Sequence, residues 1–176
     1  MRPAPLVLAA SLALGCGNLG KDAKIPGDEL GTYHVIGRLE ASTCGPGALG
    51  SSDLWEFDVK LSRDRGELYW LNGQDVVPGR VAADGVTFGF DTEVVIPVRD
   101  AGRGRLGCTV VRRDTAAGTL TVSGAEVPSF AGRMRFGYTA RESSDCSELV
   151  GVEGGFAFLP CEMSYDLTAV RTRAPE

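Results

Sequence analysis

Between residues 55 and 62 the chain alternates apolar and polar side chains without a slip. Trp55, Phe57, Val59 and Leu61 fall in one phase; Glu56, Asp58, Lys60 and Ser62 fall in the other. Successive side chains of a strand point to opposite faces, so this period predicts a half-buried β-strand. The same rhythm returns near the end, where Cys161, Met163, Tyr165, Leu167 and Ala169 oppose Glu162, Ser164, Asp166 and Thr168. Arg63-Asp64-Arg65-Gly66 reads as a turn, with residues 67–71 returning as the hairpin partner. Asp84-Gly85 separates strands at 76–82 and 86–91, because Asp-Gly supplies the positive φ of a tight hairpin turn. Further strands are expected at 32–41, 93–98, 106–113, 119–124, 130–141 and 156–171. Pro97 and Pro160 mark strand ends or edges. No window of a dozen residues carries a helical stripe.

Composition narrows the class. The chain has 176 residues, 43% apolar and 23% charged, with 24 glycines and 9 prolines. That is globular rather than disordered, and it suits one domain of short strands and tight turns, placed at 30–173. The expected fold class is all-β, an antiparallel meander of about nine or ten strands. It forms a small, lipocalin-like barrel or a two-sheet sandwich, and alternation alone does not choose between them. A membrane-spanning barrel also alternates. Several strands are too short for that, and Trp55 and Phe57 sit mid-strand instead of in girdles. The net charge is −5 with no basic stripe, so nucleic acid is excluded as a partner on electrostatic grounds.

The first residues have their own character. Arg2 precedes an apolar run from Pro5 to Leu14, too short to span a bilayer, and Ala13-Leu14-Gly15-Cys16 follows at once. This resembles the bacterial lipoprotein signal, in which small or aliphatic residues lead into a cysteine that is lipidated and becomes the first residue. Ala13 stands where that family usually has leucine. The resemblance implies a signal peptide over 1–15, acylation of Cys16, and residence in a membrane through its acyl chains. Gly17 is not the aspartate commonly used for inner-membrane retention, so the outer membrane is the expected address. Residues 16–29 have no period and read as a tether reaching roughly 20 Å. The body, above all the stretch from Cys146 to Arg171, resembles small disulfide-containing lipoproteins of gliding, predatory soil bacteria. Some of those serve surface motility machinery.

Without Cys16 four cysteines remain, enough for two disulfides in an exported domain and open to three pairings. Closing the glycine-rich stretch 149–155 favours Cys146 with Cys161, which leaves Cys44 with Cys108. A zinc site is disfavoured, since there is no CxxC and the sole histidine, His34, lies ten residues from Cys44. No cofactor is expected.

Candidate chemistry is thin. Any histidine-based relay must use His34, which shares a phase with Thr32, Arg38 and Glu40 and reads as solvated. No nucleophile elbow occurs. Glu56 with Asp58, and Glu162 with Asp166, have the spacing of a solvated strand face as much as of a glycosidase pair. The glycine clusters near 45, 102 and 151 are not followed by a helix and read as turns. The aromatic set Trp55, Phe57, Tyr69, Trp70, Phe88, Phe90, Phe136, Tyr138 and Tyr165 fits a packed core, with an apolar cavity as the rival. The expected function is therefore a non-enzymatic outer-membrane lipoprotein that binds other envelope proteins, as an interaction module or an accessory of a surface or motility machine. A carrier of a hydrophobic small molecule inside a barrel is the alternative, and an envelope hydrolase is the third reading.

Overall fold

The computed structural model describes residues 25–175 apart from 47, 49–51, 74, 103 and 152–154. The expected leader, Cys16 and most of the tether lie outside them. Eight strands follow in order: β1 (Asp28–Ser42), β2 (Leu54–Asp64), β3 (Glu67–Asn72), β4 (Asp75–Val81), β5 (Thr87–Arg99), β6 (Cys108–Ser123), β7 (Glu126–Ala140) and β8 (Cys161–Arg173). Each pairs antiparallel with the next, and β8 returns to β1, so the sheet closes into a barrel. The sandwich alternative is thereby set aside.

There are eight strands instead of nine or ten because two apparent interruptions are internal. In β5 the inward phase runs on through Phe88, Phe90, Thr92, Val94 and Ile96. In β6 the apparent break at Gly118 is a packing position. A Cβ there would meet the Ala131 carbonyl at 2.3 Å and the Phe88 ring at 2.7 Å, so only glycine lets the wall close. The last strand begins at Cys161, five residues later than expected. The preceding residues form a loop with a 3-10 turn at Ser147–Leu149.

The barrel is apolar inside and charged outside, the inverse of a membrane-spanning barrel. Inward Tyr33, Val35, Val59, Leu61, Leu68 and Leu120 are almost wholly buried. Outward residues form cross-strand ion pairs, such as Arg133 with Glu40 and Asp166, and Arg113 with Asp91. One end is sealed. There Tyr33 donates its hydroxyl hydrogen bond to the Val127 carbonyl at 2.7 Å, and its ring packs on Phe130. That end also holds the start of β1 and the tight turns after β2, β4 and β6. The opposite end carries the long connections 43–53, 100–107 and 141–160.

Both disulfides brace that second end, and their pairing corrects the expected one. Cys44 bonds Cys161, and Cys108 bonds Cys146. The β1–β8 register explains the first. Ser42 faces Met163, so the next step of the ladder brings Thr43 to Glu162 and then Cys44 to Cys161. In the second, the chain leaving β7 folds back along the start of β6. The Arg141 and Asp145 amides donate to the Thr109 and Gly107 carbonyls and deliver Cys146 to Cys108. The 147–160 loop needs no bridge of its own. Its closure comes from the Phe156 amide on the Leu149 carbonyl, the Gly151 amide on the Phe156 carbonyl, and the Ala157 amide on the Cys44 carbonyl.

Candidate functional site: the open side of the barrel lumen

The wall is unequal around its circumference. The β1–β8 ladder runs from Thr32 opposite Arg173 to Ser42 opposite Met163. By contrast β4 meets β5 only at Gly79–Phe90, Arg80–Gly89 and Val81–Phe88. Pro78, the next residue of β4, has no N–H to offer at the step where the ladder stops. From there the two strands part, and β5 continues towards the long-loop end with β6 as its one partner.

A cavity of about 330 Å³ lies inside this split. That is the low end of the range for small-molecule sites, roughly 300–1,000 Å³. Its floor is Trp70, Phe90, Ala116 and Met134; Val77 lines it from β4, and the more exposed Val94 lines it from β5 at the mouth. Trp70 and Phe90 stand edge to face, with ring centres 5.5 Å apart. Asp75, Thr92, Arg112 and Asp114 supply its polar groups.

Arg112 and Asp114 are the unexpected residues. They share the inward phase of β6 with Val110, Ala116 and Leu120, so the pleat itself turns two charges into the lumen. The guanidinium grips the carboxylate with two bonds, Nε to Oδ1 and Nη2 to Oδ2, both 2.7 Å. It also lies over the Phe136 ring, 5.7 Å from its centre. Burial opposes the Arg112 charge, but the Asp114 bonds outweigh it and the guanidinium is held more firmly protonated than usual. Directly opposite Arg112 on β7, the buried Tyr138 hydroxyl makes no hydrogen bond of good geometry, and burial pushes its pKa up to about 12. The buried indole nitrogen of Trp55 is likewise unpartnered, beside a smaller hollow of about 190 Å³ shared with Phe136 and Tyr165.

Most of the expected aromatic set does face the lumen, with Tyr33 and Phe130 added. Tyr69 is the exception: it points outward and donates its hydroxyl to Glu67. The lumen is thus a packed aromatic core towards the sealed end and a cavity on the β4–β5 side. The signal for Arg112 and Asp114 was present in the sequence, as two charges in phase with the apolar positions of one strand. Reading β6 as two strands split the pair and hid it.

His34 sits on the outer wall, half exposed, between two carboxylates of β2. Its Nδ1 is 2.9 Å from Asp58 and its Nε2 is 3.4 Å from Glu56. The Asp58 hydrogen bond leads in raising the imidazole pKa above its usual value. The carboxylate pair Glu56 and Asp58 therefore serves this histidine. Glu162 and Asp166 face Arg135 and Arg133. Among the described residues no group of three or more histidine, cysteine or acidic side chains is arranged to hold a metal ion.

With this geometry in hand, comparison with known proteins gives no relative: no family model, no curated protein and no solved structure matches the chain.

Proposed function

We propose that the chain is a lipid-anchored envelope protein whose barrel binds a small molecule in the lumen, through the split between β4 and β5. One observation carries this reading: the partly buried Arg112–Asp114 pair lining a cavity whose floor is apolar. An ion pair withdrawn from water contributes little net stability, and well-packed apolar residues of similar volume often do as well or better. Its presence in the lumen is better accounted for by recognition than by folding. The unpartnered Tyr138 hydroxyl and Trp55 indole nitrogen support the same view, since buried polar groups without partners are rare in finished cores. The reading is one of binding, with no reaction assigned to the site.

Anchoring at Cys16 gives the site an orientation. The described chain enters the barrel at its sealed end, so a tether from the membrane attaches there and the open side looks away from the bilayer. Two acyl chains make such residence stable where one alone is marginal. Native mass spectrometry of protein purified from its own envelope tests the binding reading, with a non-covalent adduct lost on Val94→Trp as the expected result. Protein that is empty in the native envelope extract, and that takes up none of a small-molecule panel, would refute it. Labelling with a radioactive fatty acid, intact chain against Cys16→Ala, tests the anchor separately.

A second reading, docking to another envelope protein, draws on one feature. Val95, Val98, Leu106 and Phe158 are all about half exposed at the long-loop end. Photo-cross-linkers placed at Leu106 and Phe158 in living cells would capture a partner if that rim is an interface; unlinked protein would remove the reading.

A further inference from the structure

We infer that the lumenal site selects a cationic ligand with a flat apolar body, lying against Trp70 and Phe90 with its charge between Asp75 and Asp114. The inference rests on the binding reading above and adds the chemical class.

The charge balance of the cavity comes first. Three ionised side chains line it, Asp75, Arg112 and Asp114, so the lining carries one excess negative charge. The single positive charge is already engaged, with one edge making two bonds to Asp114 and one face on Phe136. An anion entering here would have to break a two-bonded pair or settle beside two carboxylates. A cation meets the opposite situation. The Asp114 side chain is 14% exposed and Arg112 29% exposed, so water screens these charges far less than it screens the outer pairs.

The walls agree with the charge. An aromatic face attracts a cation held over it, and the attraction grows as water is excluded. Trp70 and Phe90 already touch edge to face, so a flat group lies against the lumenal side of that pair with a polar tail turned to the mouth. At the mouth Asp75 is the exposed carboxylate that an incoming cation meets first, and the net charge of −5 favours its approach. Thr92, with one hydroxyl, serves any donor or acceptor and does not alter the preference.

Three probes of one body and different charge decide the matter: naphthylmethylammonium, naphthylmethanol and naphthoate, titrated into the purified protein by calorimetry with tryptophan fluorescence as a second readout. The cation should bind roughly tenfold tighter than the alcohol, and the carboxylate weaker than both. Asp75→Asn, a change at an exposed position, should bring cation and alcohol to within about threefold. Combining it with Asp114→Asn frees Arg112 and should invert the order, with naphthoate now tightest. Val94→Trp at the mouth should abolish all three while leaving the fold intact. If the alcohol and carboxylate match the cation in the unaltered protein, the charge selection is wrong although the lumen still binds. If none of the three binds, the lumenal reading itself falls, and this inference with it.

Discussion

The two weakest places one would look for in this barrel are the seam between the chain's own ends and the joint between two strands linked by a short turn. The structure reverses the expectation. β1 and β8, more than a hundred residues apart, share a long ladder, a disulfide, and the Arg133 guanidinium that reaches both Glu40 and Asp166. β4 and β5, joined through Ala82–Val86, hold together over three residues and then separate. Nearness in sequence makes a hairpin easy to start; it does not make it long. The long-range seam is where closure entropy is largest, and it is where the covalent bond has been placed. The short joint opens over the cavity lined by Trp70 and Phe90.

The largest effect expected from this contrast is on the covalent seam. Replacing Cys44 and Cys161 with alanine frees a loop of 117 residues, worth about 5 kcal/mol in the chain-entropy model. Removing Cys108 and Cys146, which span 38 residues, should cost about 4 kcal/mol. Urea unfolding of the two double variants measures the order. A smaller loss for the Cys44 pair would mean that β1 and β8 stay together without it.

A smaller effect is expected at the sealed end. Tyr33→Phe leaves the buried Val127 carbonyl without its hydroxyl donor, at a cost of about 1–3 kcal/mol. The ring remains, so the Phe130 contact is retained. An unchanged midpoint would show that the plug is held by packing alone.

Without any mutation, amide hydrogen exchange reads the contrast strand by strand. Between residues 91 and 98, β5 has a partner on one side, so amides turned towards β6 should be slow and the alternate ones fast. Along β1 from Thr32 to Arg38, paired on both sides by β2 and β8, protection should be unbroken. A uniformly protected β5 would mean that the split is closed in solution.

Much of this architecture was legible from alternation. The phase of Trp55, Phe57, Val59 and Leu61, and that of the last strand, assign inside and outside correctly, because a pleated strand with one dry face enforces a period of two. The strand count was less legible, since Gly118 looks like a turn residue until its opposite wall is known. The disulfide pairing could not be read from loop lengths. It depends on which strands become neighbours when the barrel closes, and that is a property of the whole chain. The lumenal pair was hidden for a related reason: a charge is read as solvent-facing unless the strand around it is seen to be continuous. His34 was correctly placed on the solvated face, but its carboxylate neighbours come from β2, which one strand's own pattern cannot show.

That last cluster gives the smallest and most specific effect. The Asp58 hydrogen bond, with Glu56 adding its field, raises the folded-state pKa of His34 above its unfolded value near 6.5. A raised pKa means the folded protein holds the proton more tightly than the unfolded chain. The stabilisation is therefore complete below about pH 6.5 and fades as the pH rises through the folded value. His34→Ala should lower stability at pH 5.5 and leave it unchanged at pH 9. The imidazole resonance followed by NMR should titrate above 6.5 in the unaltered protein and move down on Asp58→Asn more than on Glu56→Gln, because Asp58 makes the shorter contact. Equal shifts from the two variants would instead make the carboxylates a common field around the ring, with no directed bond from either.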